Sequence, residues 1–201
     1  TRMTDTMTIT VKCKTENQKL LVNAIKEKEV IICSGPAGTG KTYLACAEAL
    51  RLIKRYAKYK KIVIVKSVTT LKNEEIGFLK GNLREKMEPF MFSFVHNFEK
   101  LVGQSITSKL RELKTIEEMP IAYMRGINLD RSIIIVDEAQ NISQENMRTI
   151  MTRLGRDSKM IFLGDERQQD SKGGNGLTFL MNHFSHIEEV GCVQFTKDDV
   201  V

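Results

Sequence analysis

What this sequence lacks narrows its reading first. No apolar run in the 201 residues approaches the roughly 18 that a membrane-crossing helix needs. The N-terminal Thr1-Arg2-Met3-Thr4-Asp5 has no apolar core of the kind a secretory signal requires. Only four cysteines occur, at 13, 33, 46 and 192, and no two are spaced for a metal or redox motif. Cys33 and Cys46 fall in a predicted strand and helix, where a thiol behaves as a small apolar group. This usage points to a reducing, cytoplasmic setting. Of the three histidines, only His183 and His186 are close in sequence. A zinc site wants more ligands, so they read as surface or helix-end residues. No internal repeat, low-complexity tract or linker divides the chain. Residues 1–201 read as one domain, with 1–7 expected to be disordered.

Composition is that of an ordinary globular protein, 28% charged and 41% hydrophobic. Lys and Arg number 31 against 25 Asp and Glu, a net charge of +6 that permits an anionic partner. The densest basic stretch is Arg51, Lys54, Arg55, Lys58, Lys60 and Lys61. It reads as a solvated helix face and loop, with a nucleic-acid patch as the alternative.

Apolar patterning supplies the elements. Thr8 to Lys12 alternates and suggests an edge strand. Thr15 to Lys28 has Leu20, Leu21, Ala24 and Ile25 on one helical face, and Thr15 with Gln18 has capping-box spacing. Val30-Ile31-Ile32-Cys33, Ile62-Val63-Ile64-Val65, Ile133-Ile134-Ile135-Val136 and Lys159-Met160-Ile161-Phe162-Leu163 read as buried strands. Helices are expected from the residues after Lys41 to about Ala57, from Ser143 to Leu154 and from Leu177 to Phe184. A last strand is expected from Val190 to Phe195. This alternation implies parallel βαβ units, an α/β fold with ligands at the carboxyl ends of the strands. Residues 67–126 are less regular. Phe90, Phe94, Phe98 and Leu101 predict a helix over 89–102, its phenylalanines serving the core rather than a base-stacking platform. Such an excursion is where a nucleotide-driven protein could place a partner-binding surface.

The chain's most specific stretch follows the first of these strands. Gly35-Pro36-Ala37-Gly38-Thr39-Gly40-Lys41-Thr42 satisfies every fixed position of the phosphate-binding loop, G-x-x-x-x-G-K-[ST]. A strand, a glycine-rich turn and a helix N-terminus converge free backbone N–H groups on one point, which suits an anion. Lys41 is expected to reach the β- and γ-phosphates, and the Thr42 hydroxyl to ligate Mg²⁺.

Asp137 and Glu138 end the most apolar strand. Ionised groups are costly to bury unpaired, so carboxylates there need a reason. Asp137 is expected to hold Mg²⁺, and Glu138 to orient or deprotonate an attacking water. Two adjacent carboxylates favour hydrolysis over transfer to a substrate hydroxyl. Gly164-Asp165 ends the next strand, and Gln168 beyond it can sense the γ-phosphate or its water. Arg125, Arg153, Arg156 and Arg167 are candidates for stabilising transition-state charge. Arg153 is the best placed locally, in the helix-to-strand connection after the carboxylates.

With these residues in place, the sequence resembles the PhoH-like proteins, P-loop ATPases related to the RecA-like core of superfamily 1 helicases. The resemblance rests on Gly35 through Ala45, Gly77-Phe78-Leu79, Ala122-Tyr123-Met124-Arg125-Gly126 and Asp137-Glu138-Ala139-Gln140-Asn141. It continues through Thr152-Arg153-Leu154-Gly155, Ser158-Lys159-Met160 and Gly164-Asp165 with Gln168 and Asp170. It covers roughly residues 15 to 200 in the family's order.

The resemblance implies a RecA-like P-loop NTPase fold, a mostly parallel sheet flanked by helices, with ATP and Mg²⁺ as ligands. It adds Tyr43 to the nucleotide-binding stretch, gives Gln18 a role at the adenine edge beside its capping role, and makes Gln140 and Gln168 sensors. It implies RNA or single-stranded DNA as a partner, and a homo-oligomer, a hexameric ring being one form, in which Arg125 could serve a neighbour's ATP. The alternative is a nucleotide-dependent interaction protein with little turnover. The chain departs from the family at Lys66-Ser67, where Arg-Pro is usual, at Ser171-Lys172, where Leu-Pro is, and at Asn175, where Ser is frequent.

Overall fold

The computed structural model describes residues 2–66, 83–124, 127–168 and 174–201. Six strands form one parallel sheet: β1 (Val30–Ser34), β2 (Lys61–Lys66), β3 (Ile116–Pro120), β4 (Ser132–Asp137), β5 (Lys159–Gly164) and β6 (Val190–Gln194). Their order across the sheet is β3-β2-β4-β5-β1-β6. The helices are α1 (Glu16–Glu27), α2 (Lys41–Arg55), α3 (Leu83–Val102), α4 (Gln104–Glu112), α5 (Gln144–Met151) and α6 (Gly176–Phe184).

Strand residues alternate between two apolar layers because side chains in a strand point to opposite faces. Ile31, Cys33, Ile62, Ile64, Ile133 and Ile135 pack with Leu21, Leu50 and Phe94 of α1, α2 and α3. Ile32, Val63, Ile134, Val136 and Phe162 pack with Met147, Ile150 and Leu180 of α5 and α6. A sheet covered on both faces needs near-continuous apolar strands, and the four central strands have them.

The helix limits follow local chemistry. Thr15 caps α1 by accepting from the Gln18 N–H at 3.2 Å, Ser143 caps α5 through Asn146 at 3.1 Å, and Asn175 caps α6 through Thr178 at 3.0 Å.

Three expectations need correction. Residues 8–12 form no strand. Side chains of α2 hold the segment instead: Arg51 Nη2 donates to the carbonyls of Ile9 and Val11 at 3.4 Å each, and Lys54 Nζ donates to that of Met7 just before it. Before them, Met3–Thr6 form a 3-10 turn and Met7 is buried, where disorder is expected from the sequence. The helix placed at 89–102 begins at Leu83 and runs through Pro89. Phe94 and Phe98 are fully buried as expected; the side chain of Phe90 lies outside the described residues.

β3 is an element the apolar pattern misses, because Glu117 and Glu118 interrupt it. It is an edge strand, and its carboxylates pair with Lys61 at 3.0 Å and Arg111 at 3.1 Å. Among the described residues, no helix is long and apolar enough to cross a membrane.

Candidate nucleotide site

Parallel strands bring all their carboxyl ends to one edge, and the signature residues gather there. β1 delivers the loop 35–42, β4 delivers Asp137 and Glu138, and β5 lies between those two strands and delivers Gly164-Asp165.

The loop takes its shape from its glycines. Gly38 and Gly40 have φ of 80° and 81°, a region that L side chains rarely adopt. A side chain at Gly35 would put Cβ 2.5 Å from that of Phe195, just beyond β6. The loop is braced from within and without. Thr39 Oγ1 and Lys41 Nζ both donate to the Pro36 carbonyl, at 3.0 and 3.1 Å. The Gly35 N–H donates to Gly164 at 3.0 Å, and the Val201 N–H to Gly38 at 3.0 Å. Gln18 is buried behind the loop. Its Oε1 accepts from the Lys14 N–H at 2.6 Å, and its Nε2 donates to Thr39 at 2.9 Å. One end of that amide therefore ties α1 to the loop, and the other holds the segment that leads into α1. Thr42 and Tyr43 occupy the first turn of α2, whose N-cap is Gly40.

The two carboxylates sit differently. The Asp137 side chain is 17% exposed and that of Glu138 is 43%. Burial pushes the Asp137 carboxyl above the ordinary range, and the Lys66 ammonium offsets part of that. Glu138 has φ 51° and turns the chain into a 3-10 helix, Ala139–Asn141. Lys66, at the end of β2, lies 3.9 Å from both carboxylates. Sequence pattern marks Lys66 only as a departure; the sheet order places it here, since β2 and β4 are neighbours and Lys66 pairs in register with Asp137.

Gln140 is buried, and its Oε1 accepts from the Asp165 N–H at 3.1 Å, linking the ends of β4 and β5. Gly164 is small for this reason: a Cβ there would lie 2.4 Å from Gln140 Oε1. Gln168 is exposed on the turn after β5, its N–H donating to the Asp165 carbonyl at 3.1 Å. Glu166 is a further participant that sequence reasoning leaves out. It accepts from Ser34 Oγ at 3.0 Å and Thr178 Oγ1 at 3.4 Å, joining β1 to α6. A cavity of about 220 Å³ opens beside it, with Arg167 and Lys197 in its wall.

Arg153 is not brought to this edge. Its carbonyl accepts from the Leu129 N–H at 3.2 Å, ahead of β4. It therefore sits at the amino-terminal edge of the sheet, about 20 Å from Asp137, the length of a six-residue strand. A connection from helix to strand in a parallel sheet always returns to that edge, which corrects its assignment to the same site. Arg156 lies there too. Arg125, Gly77-Phe78-Leu79 and Asp170 lie outside the described residues.

Comparison with known proteins agrees with this geometry. The PhoH-like protein family matches over residues 10–201. A PhoH-like protein of Bacillus subtilis is 37% identical over 193 residues, 95% of this chain and 60% of the relative. Protein PhoH of Escherichia coli K12 is 33% identical over 192 residues, 94% of this chain and 54% of that protein. The chain thus spans little more than half the length of these relatives. Among solved structures, the large terminase of a thermophilic bacteriophage, in complex with ADP, aligns over 92% of this chain and 46% of its own. Its TM-score is 0.51 at 14% identity, a likeness of fold. Another structure of the same terminase gives 0.52 at 15% identity over 93% of this chain and 46% of that one. The fold is that of a P-loop nucleoside-triphosphatase, and the chain belongs to the PhoH-like protein family.

Proposed function

We propose that this chain is a Mg²⁺-dependent ATPase whose turnover is coupled to RNA or single-stranded DNA. The observation that carries the reading is the placement of Asp137 and Glu138 on the same edge as the phosphate loop, with β5 between them.

The residues suit a nucleoside triphosphate with its metal. The loop offers backbone N–H groups at the head of a 15-residue helix. Lys41 already lies across the loop, held by the Pro36 carbonyl. Thr42 and the half-buried Asp137 are hard oxygen donors of the kind Mg²⁺ prefers. When bound, the metal would supply charge neutralisation for the β- and γ-phosphates. Glu138, the more exposed of the two, would take a proton from the attacking water. Gln140 fixes the turn after β5 from which Gln168 would face that water. Gln18 is the adenine-edge candidate, and it would exchange one of its two backbone partners to serve there.

A single core of this kind presents its site on an open edge. We infer that subunits associate, as a ring in the simplest closed form, so that a neighbour supplies an arginine; Arg125 and Arg153 are candidates for that role. The placement of Arg153 on the opposite edge suits a contact between subunits rather than within one.

A second reading has one observation in its favour. Lys66 pairs with both carboxylates, an arrangement that suits a nucleotide-binding interaction protein with little turnover. ATP hydrolysis measured against RNA, single-stranded DNA and duplex at stated salt separates the two, because nucleic-acid binding is salt-dependent. Stimulation by a single-stranded polymer supports the ATPase reading. Turnover no faster than that of Glu138→Gln under every condition supports the other.

A further inference from the structure

The opposite edge of the sheet carries a cavity that the nucleotide chemistry does not use. It encloses about 620 Å³ between the ends of α1 and α2 and the N-terminal segment. Four cations line it, Lys26, Arg51, Lys54 and Arg55, against one carboxylate, Glu48. Glu48 is buried and already paired with Arg51. The cavity wall is therefore cationic in effect.

Its aromatic lining is Tyr56, 41% exposed. Tyr59 meets this ring edge-on at a centroid distance of 6.4 Å. The Arg55 guanidinium lies 5.3 Å from the ring centroid and the Lys58 ammonium 5.9 Å. The loop that carries Tyr56 is fastened: Arg131 donates to the carbonyls of Ala57 at 2.8 Å and Lys58 at 3.0 Å. Arg51 and Lys54 are likewise fixed by the carbonyls of Ile9, Val11 and Met7. A ring and several cations are thus held in place before any ligand arrives. Lys26 also lines a second cavity of about 410 Å³ on the same edge, where Lys28, Lys58 and Lys159 face Glu27, Glu29 and Asp157. The excess of positive charge is on the Tyr56 side.

We propose that the cavity around Tyr56 binds single-stranded nucleic acid, Lys26 and Arg55 taking phosphates and Tyr56 stacking on a base. Proteins that hold single strands combine a basic groove with aromatic platforms in this way. A concave wall with a half-exposed ring fits a base better than it fits a carboxylate-rich peptide, which would have no use for the ring. The proposal deepens the reading of the chain as a polymer-coupled ATPase and rests on it. It also gives the coupling a path, since α2 begins at Lys41 in the phosphate loop and ends at Arg55 in this cavity. That is about 22 Å of continuous helix.

The test is fluorescence anisotropy with labelled oligo(dT) and oligo(U) of about 12 nucleotides, within the usual footprint of such sites. Wild type is compared with Lys26→Ala/Arg55→Ala, Tyr56→Ala and Tyr56→Phe, each first checked for unchanged thermal unfolding and nucleotide binding. The double variant should bind at least about tenfold more weakly, with a log–log salt slope shallower by about 1.4. Tyr56→Ala should lose about tenfold and Tyr56→Phe should bind as wild type does. Variants that bind as tightly as wild type overturn the proposal, as does polyglutamate competing as well as the oligonucleotide. If a polymer still stimulates ATP turnover in those variants as it does in wild type, this site is wrong and the ATPase reading stands. If no polymer binds or stimulates wild type, the coupling itself fails.

Discussion

At the scale of single residues, the site is built from positions where one side chain decides the outcome. Lys41 is the cation at the loop, so Lys41→Ala should weaken ATP binding by roughly ten- to hundredfold, the worth of a hydrogen bond to a charged group. Equilibrium binding of a fluorescent ATP analogue measures it. Gly164 abuts Gln140, with only 2.4 Å left for a Cβ. Gly164→Ala should therefore cost about 1–3 kcal/mol in urea unfolding through overpacking. Lys159 is buried against the carbonyls of Ile25 and Lys28, at 2.5 Å each. Burial lowers its pKa from 10.5 to about 8. Between those values the unfolded chain holds more protons than the folded one, so stability rises with pH. The penalty is full below about 8 and relieved toward 10.5. Urea unfolding across that window should show the rise in wild type, and Lys159→Met should lack it. Of these residues, Lys41, Asp137 and Glu138 are legible in the sequence because motif and flanking strand coincide. Lys66 and Glu166 are not, since their neighbours come from strands far away in the chain.

At the scale of elements, apolar runs and caps locate the four central strands and most helices. Legibility fails where tertiary contacts replace the local rule. Residues 8–12 alternate like a strand, yet Arg51 donates to the carbonyls of Ile9 and Val11 and no strand pairs with them. β3 hides behind two glutamates whose cost is met by Lys61 and Arg111. Arg153 belongs by sequence order to the motif region but by topology to the far edge. The basic stretch on α2 is also more than a solvated face. Arg51 is the partner of the buried Glu48, and its side chain is 32% exposed. Arg51→Ala would leave that carboxylate alone and should destabilise the fold by about 1–3 kcal/mol, below the range for a fully buried pair because of solvent screening. Hydrogen exchange should rise in residues 8–12 of the same variant, since their carbonyls lose a donor.

At the scale of the whole molecule, the parallel sheet separates two edges. The carboxyl edge gathers the phosphate loop, the paired carboxylates and the turn after β5. The amino edge gathers Tyr56 and the cations of the larger cavity, and it also carries Arg153 and Arg156. α2 joins the two. The family match agrees with the fold read from the alternation of strands and helices. Because the chain spans little more than half of the relatives' length, its activity is best settled on the chain itself. Light scattering with ATP and Mg²⁺ should show an oligomer, and a strict monomer would remove the ring from the account. The central claim is that Glu138 activates water at this site. Phosphate release from ATP by wild type and Glu138→Gln, with nucleotide binding measured on both, tests it most directly. The account predicts turnover falling by about 10²–10⁴-fold with binding retained, the usual worth of a general base. Equal turnover in the two proteins would contradict it.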